Sequence, residues 1–150
     1  MFFDKKIIFL KQNVKDHNEA LAKLADALFA AGSVKASYKE GILTREKGFP
    51  TGLQLPGYGV AIPHTDAERV NSAQIGFMQL EHPITFHQMG DNQEVQVKLI
   101  FMLALNEPKK QPEMLQKLMK MFQDTTVMEQ LMEQEKQDDI ISILEKEDIK

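Results

Sequence analysis

Histidine is the residue type in this sequence with the widest range of chemistry near neutral pH. The chain has 150 residues, with four histidines and no cysteine. Thiolate nucleophiles and zinc-thiolate sites are therefore excluded, and imidazole, hydroxyl and carboxylate groups remain. His64 follows the apolar residues 60–62 and Pro63. Because proline has no N–H for a sheet ladder, we expect a strand to end there and to leave His64 exposed where the strand emerges from the core. An exposed, neutral imidazole is a nucleophile that can accept a phosphoryl group.

A phosphoryl acceptor also needs groups that stabilise the phosphoryl oxygens. Arg45 is the candidate, since its planar guanidinium can donate two hydrogen bonds to a phosphoryl group. Helical spacing with Tyr38 and Ile42 predicts a helix over 35–47 with Arg45 on its inward face, near its end. The alternative is an ordinary structural role, in which Arg45 stabilises the helix end or pairs with a neighbouring carboxylate.

The segment between this helix and His64 is rich in proline and glycine. Residues 49–59 therefore predict a shaped loop without regular structure. The Thr51 hydroxyl and the backbone N–H groups around Gly52, Gly57 and Gly59 would complete a small anion cradle. Thr51 is equally well explained as a turn residue.

The elements that must position these groups follow from hydrophobic periodicity. Asp16 and Glu19 predict the start of a helix that ends at Gly32. The remaining predicted elements are strands over 72–80 and 95–105, a short segment at 84–86, and helices from Pro112 onward, built on 114–122, 127–131 and 140–144. The strand over 95–105 is nearly continuous in apolar residues, which favours a central place in its sheet. These patterns predict a single α/β domain over residues 1–150, with helices packed on a mixed sheet.

Composition narrows the possible partners and locations. The formal net charge is −4, and the 18 Lys and Arg residues are interleaved with 22 Asp and Glu residues. No basic stripe is present, so nucleic acid is not an expected partner. The longest strongly apolar run, residues 99–105, suits a buried strand and is too short to span a membrane. The first residues lack the pattern of a signal peptide, so we expect a cytoplasmic protein without membrane insertion.

The sequence around His64 also resembles a known family. Residues 59–64 read GVAIPH, which is similar to the active-site signature of the fructose/mannitol-type enzyme IIA family of the phosphoenolpyruvate-dependent sugar phosphotransferase system. The pairs Arg45-Glu46 and Thr51-Gly52 match family positions upstream. The sequence of residues 49–52, FPTG, most resembles that of the galactitol-type branch.

This resemblance implies a fold, a function and partners. The implied fold is an α/β sandwich with helices on both faces of a mixed sheet. The implied function is that of a phosphotransferase in sugar or polyol transport, galactitol included, that carries a phosphohistidine at His64. The phosphoryl group would come from the phosphocarrier protein HPr and pass to a cysteine of a cognate IIB protein, which works with a membrane IIC component. No metal or organic cofactor is implied, because the donor is itself a phosphohistidine.

Two positions depart from the family pattern. Many members carry a second histidine at the start of the helix after the long central strand, and Gln111 corresponds to it here. A glutamine amide can donate a hydrogen bond to the ring or to its phosphoryl group, but it carries no charge. Thr65 follows the histidine where a small residue is usual, and its hydroxyl is a further candidate donor to the phosphoryl group.

Two other functions remain open at the level of sequence. In the first, a free-standing regulator uses the phosphorylation state of His64 to control a protein target. In the second, the protein is a metal-dependent hydrolase that uses His64, His82 and His87 with Asp66. No third ligand with convincing spacing follows the pair His82 and His87, however. A surface loop is the simpler interpretation of those two histidines.

Overall fold

The computed structural model describes residues 2–150 and contains one five-stranded sheet with five α-helices. The strands are β1 (Ile8–Gln12), β2 (Gly52–Leu55), β3 (Tyr58–Ala61), β4 (Gln74–His87) and β5 (Glu94–Ala104). The helices are α1 (His17–Ala30), α2 (Ser37–Gly48), α3 (Lys110–Phe122), α4 (Thr125–Glu133) and α5 (Gln137–Lys146), and a single 3-10 turn (Ala67–Arg69) follows His64.

The sheet is mixed, and its strand order is β1-β4-β5-β3-β2. The pairs β1–β4 and β3–β5 are parallel, whereas β4–β5 and β2–β3 are antiparallel. The long apolar strand β5 lies in the middle, which confirms its predicted central position. Because β3 lies beside β5, the residues that follow β3 emerge next to the most deeply buried strand.

Each face of the sheet is covered by its own group of helices. Ile100 and Met102 of β5 pack with Leu24 and Leu28 of α1 and with residues of α2. The alternate residues of β5, including Phe101, pack with α3, α4 and α5. This alternation explains why β5 is apolar at nearly every position, since both of its faces are buried. The predicted α/β sandwich with helices on both faces is confirmed.

The predicted loop over 49–59 is wrong, because most of it forms the β2–β3 hairpin. Gly52 pairs with Ala61, and Leu55 pairs with Tyr58 across a two-residue turn. Gly57 in that turn has φ +88, a conformation that glycine adopts without a steric penalty. Proline and glycine therefore mark a tight turn between two short strands here, and they do not exclude regular structure.

Two further differences concern β1 and β4. The sequence pattern predicts no strand at the apolar residues 7–10, yet Ile8–Gln12 pairs with β4 at the sheet edge. Residues 84–86 belong to one long strand with the segment before them, because an irregularity between Gln79 and Ile84 accommodates Pro83. His82 and His87 consequently lie in β4, so their predicted loop is wrong.

The helices begin and end close to the predicted positions. The Asp16 carboxylate caps α1 by accepting a hydrogen bond of 2.9 Å from the backbone N–H of Glu19. Gly32, with φ +79, follows the end of α1. None of the helices within residues 2–150 has the length and apolar character that a membrane span needs.

Candidate functional site

His64 is attached to the central strand by its neighbouring backbone. The Leu103 N–H donates to the Pro63 carbonyl at 2.9 Å, and an isolated parallel bridge joins His64 to Leu103. The hydroxyl of the fully buried Tyr38 donates to the Leu103 carbonyl at 2.8 Å. The backbone at His64 is therefore held by β5 and, through Tyr38, by α2.

The His64 ring makes one hydrogen bond that defines its tautomer. Nδ1 lies 2.7 Å from the Ile62 carbonyl oxygen. A carbonyl oxygen only accepts, so Nδ1 carries the hydrogen and donates it. In the neutral ring the lone pair is then on Nε2, which is the nitrogen available as a nucleophile.

The surroundings of His64 favour the neutral form of the ring. Partial burial is the main cause that lowers the pKa of His64 from 6.5, and the positive charge of Arg45 lowers it further. The hydrogen bond to the Ile62 carbonyl acts in the opposite direction, since it favours the protonated ring. The ring is only partly exposed, which is less than the sequence predicts. The same burial favours the neutral imidazole, which is the form that can attack phosphorus.

Arg45 lies at the rim of the site, so its predicted inward position is wrong. Its side chain is 41% exposed, and Nη1 lies 3.7 Å from Oδ1 of Asp66. The guanidinium also lies over the exposed ring of Phe49, 5.4 Å from its centroid. A long arginine stem allows the charged end to reach solvent from a helix face that is otherwise buried. The charged residue that is buried near the end of α2 is Glu46.

A groove of about 530 Å³ runs beside these residues. Arg45, Thr65 and Gln111 line it, together with Asp66, Ala67, Glu68, Glu107 and Pro108. Thr65 is buried directly after His64, and Gln111 lies in the first turn of α3. The structure thus brings three of the predicted site residues to one groove, whose lining begins at Thr65 and does not include His64 itself.

Thr51 is placed elsewhere, and both of its donors are engaged. Its hydroxyl donates to Oε1 of Glu46 at 2.9 Å, and its N–H donates to Oε2 of the same carboxylate at 2.8 Å. Thr51 is buried with only 3% exposure. In this structure Thr51 accordingly anchors the end of α2 to the hairpin, whereas the predicted cradle would need its hydroxyl free for an anion. Gly52 and Gly59 lie in the strands of that hairpin.

Arg69 is a second guanidinium beside Asp66, and the sequence interpretation missed it. Its Nη1 donates to the Ser37 carbonyl at 2.7 Å, and its Nε lies 3.8 Å from Oδ2 of Asp66. Asp66 thus lies between two guanidiniums, those of Arg45 and Arg69. The only sequence signal for Arg69 was its position shortly after the GVAIPH motif. The direction of its side chain depends on the 3-10 turn, which the sequence pattern did not predict.

The histidines outside this site do not form a metal centre. Within residues 2–150, no group of three or more His, Cys, Asp or Glu residues is arranged to hold a metal ion. His82 is exposed, while His87 lines a separate depression with His17 and Glu46. The geometry therefore gives no support to the metal-dependent hydrolase.

Comparison with known proteins identifies the family. The model of the family described as "Phosphoenolpyruvate-dependent sugar phosphotransferase system, EIIA 2" matches residues 1–147. The chain belongs to this family. As an EIIA protein it is a phosphotransferase of a sugar or polyol phosphotransferase system.

Individual relatives agree with this assignment. The EIIA chain is 28% identical over 126 residues to the galactitol-specific EIIA component of Escherichia coli K12, covering 83% of this chain and 84% of that one. Its fold matches a PTS IIA (PtxA) of Streptococcus mutans with a TM-score of 0.79 at 22% identity, covering 98% and 92% of the two chains. It also matches the mannitol enzyme IIA of Escherichia coli, solved in complex with phosphorylated enzyme IIB, with a TM-score of 0.76 at 26% identity and coverage of 94% and 95%.

Proposed function

We propose that His64 accepts a phosphoryl group from HPr and passes it to the cysteine of a cognate IIB protein. The observation that carries this proposal is the hydrogen bond from Nδ1–H of His64 to the Ile62 carbonyl, at 2.7 Å. It leaves the Nε2 lone pair free on a ring whose pKa is lowered by burial and by Arg45. A neutral imidazole beside a guanidinium is suited to attack phosphorus and then to hold the phosphoryl group.

The transfer needs no group beyond the two proteins. The Nε2 lone pair attacks phosphorus of the donor phosphohistidine, the donor P–N bond breaks, and its electron pair returns to the donor ring. Arg45 stabilises the phosphoryl oxygens, and Gln111 and Thr65 are further donors from the same groove. In the second transfer the thiolate of the acceptor displaces the phosphoryl group from Nε2, and the pair from that bond stays on His64.

We further propose a galactitol or related polyol system, a cytoplasmic location and a single domain over residues 1–150. The galactitol-specific relative and the sequence FPTG at residues 49–52 support assignment to the galactitol-type branch. The likeness to an enzyme IIA bound to phosphorylated IIB supports a IIB acceptor. The HPr donor is the one implied by the family resemblance.

Phosphorylation by purified components tests the assignment of His64. The protein is incubated with radiolabelled phosphoenolpyruvate, enzyme I and HPr, and the bound phosphate is tested for stability in acid and alkali. We expect acid-labile, alkali-stable label on the wild type, no label on His64→Ala, and full label on the control His82→Ala, whose histidine is exposed on β4. Label that persists on His64→Ala would refute the assignment.

The acceptor is tested separately with the labelled protein. Galactitol-type and mannitol-type IIB proteins are offered in parallel, each with a variant that lacks the acceptor cysteine. We expect the label to pass to the galactitol-type cysteine faster than to the mannitol-type one. Equal transfer to both would contradict the proposed branch while leaving the role of His64 intact.

A further inference from the structure

Glu46 is the buried carboxylate of this protein. It is 8% exposed, and no other Asp or Glu among residues 2–150 belongs to the buried class. Burial raises the pKa of Glu46, and its hydrogen bonds from Thr51 act in the opposite direction. An acidic side chain that is buried at this cost needs a structural or functional reason, and its bonding partners supply one.

Three consecutive links connect this carboxylate to the His64 ring. Glu46 accepts both donors of Thr51, at 2.8 and 2.9 Å. The Thr51 carbonyl then accepts the N–H of Ile62 at 3.3 Å. The Ile62 carbonyl in turn accepts Nδ1–H of His64 at 2.7 Å. Each link involves a backbone group of the β2–β3 hairpin or its immediate end.

The geometry of the hairpin makes this path stiff. Gly52 and Ala61 are the last paired residues at the open end of the hairpin, and Thr51 and Ile62 lie just beyond them. A strand end without an anchor frays, because its final hydrogen bonds are exposed to competition by water. Glu46 removes that freedom, since both of its oxygens hold Thr51 against α2.

Orientation of the Ile62 carbonyl has a direct chemical consequence. This oxygen decides which ring nitrogen of His64 keeps the hydrogen, and therefore which nitrogen has the lone pair. It also restrains the ring through the hydrogen bond at Nδ1, and Arg45 directly precedes Glu46 in α2. One turn of helix thus supplies both the cation of the site and the anchor of the histidine.

We propose that Glu46 is a positioning residue for the phosphoryl acceptor. Through Thr51 and Ile62 it holds His64 in the tautomer with the hydrogen on Nδ1 and the lone pair on Nε2. The link to catalysis rests on the proposed function of His64, whereas the effect on the tautomer does not.

Nitrogen-15 NMR of the imidazole rings tests the tautomer directly. Spectra are recorded at about pH 8, where histidine rings are neutral. For the wild type we expect His64 to show a protonated Nδ1 and an unprotonated Nε2. In Glu46→Gln the side-chain NH2 group replaces one carboxylate oxygen and cannot accept a hydrogen bond, so one of the two bonds from Thr51 is lost. In Thr51→Val the bond from the hydroxyl is lost. Both variants should shift the two nitrogen resonances towards the average of a free ring, and the double variant should shift them no further than the larger single effect.

Phosphorylation kinetics supply a second readout. In Glu46→Gln we expect kcat to fall by about 10- to 100-fold, as small misplacements of reacting groups do. The KM for phosphorylated HPr should be unchanged, because Glu46 is buried and both of its carboxylate oxygens accept hydrogen bonds from Thr51. Thr51→Ser retains both donors and should behave as the wild type, and Glu145→Gln, an exposed site on α5, is the matched control for loss of a carboxylate.

The outcomes separate this proposal from the proposed function. Wild-type resonances in folded Glu46→Gln and Thr51→Val, or a wild-type ring with the hydrogen on Nε2, overturn it. Thermal unfolding shows that each variant is folded, and Thr51→Val, which keeps the N–H bond to Glu46, provides the milder test if Glu46→Gln unfolds. A wild type that takes no phosphate yet shows the expected tautomer refutes the proposed function and leaves the role of Glu46 in place.

Discussion

His64 combines a nucleophilic nitrogen with an environment that disfavours the charged ring. Burial and the guanidinium of Arg45 both lower the pKa of His64, while the Ile62 carbonyl directs the remaining hydrogen to Nδ1. The ion pair of Arg45 with Asp66, at 3.7 Å between partly exposed groups, contributes little free energy. Arg45 can therefore turn from Asp66 to a phosphoryl group at small cost.

The titration of His64 follows from these charges. We expect an NMR pKa below 6.5 for His64 in the wild type, and a higher pKa in Arg45→Gln, because removal of the positive charge favours the imidazolium. The rate of phosphorylation should fall on the acid side along the same curve. The pH dependence of stability has a definite sign: the unfolded chain takes up this proton more readily, so stability is lost as pH falls from 6.5 through the folded pKa. An unchanged pKa in Arg45→Gln would contradict the electrostatic part of this account.

At the scale of elements, α2 and the segment after His64 are in unusually close contact. A Cβ atom on Gly41 of α2 would lie 2.8 Å from Oγ1 of Thr65 and 2.9 Å from Cδ of Arg69. Glycine at this position therefore lets the helix approach the site residues. Gly48, at the end of the same helix, has open space around the corresponding position.

The pair Gly41→Ala and Gly48→Ala tests this close contact. Gly48→Ala should change the free energy of unfolding by no more than about 1 kcal/mol, in the stabilising direction, because alanine is the better helix former. Gly41→Ala should destabilise the fold by roughly 1 to 3 kcal/mol, since Thr65 and Arg69 must move. It should also slow phosphorylation. Chemical denaturation measures the first effect, and equal stability of the two variants would show that the contact is loose.

At the scale of the whole molecule, two separate apolar cores lie on the two faces of one sheet. Phe101 of β5 packs with Phe77 and Phe122, with ring centroids 5.2 and 5.5 Å apart. Phe122 ends α3, the helix that carries Gln111 to the groove. The packing of α3 on the sheet face opposite to α2 thus determines where Gln111 lies in the groove.

Truncation in this core should be costly. Phe101→Ala is expected to lower the free energy of unfolding by about 3 to 5 kcal/mol, through lost burial and a residual cavity. The control Phe29→Ala removes a ring that is 54% exposed on α1, and should change stability by no more than about 1 kcal/mol. Urea unfolding followed by circular dichroism compares the two variants. A similar loss in both would mean that Phe101 is not central to the core.

Local patterns were sufficient for the parts of the molecule that depend on neighbours in sequence. Asp16 and Gly32 mark the ends of a helix, and the apolar residues of β5 indicate a strand buried on both faces. The motif that ends in Pro63 and His64 indicated where a strand stops and which side chain follows it. The prediction failed for the hairpin and for β1, because short strands are stabilised by partners that are distant in sequence.

The sequence by itself determined the α/β class and the family, and it singled out the histidine that we propose as the phosphoryl carrier, since each depends on residue type and local spacing. Tertiary structure decided that Arg45 faces Asp66, that Gln111 and Thr65 share its groove, and that Thr51 binds Glu46. These contacts lie between α2, the hairpin and α3, which are brought together by strand pairing and by packing in the two apolar cores. Their geometry is set by packing across the sheet, which a periodic pattern along one element cannot encode.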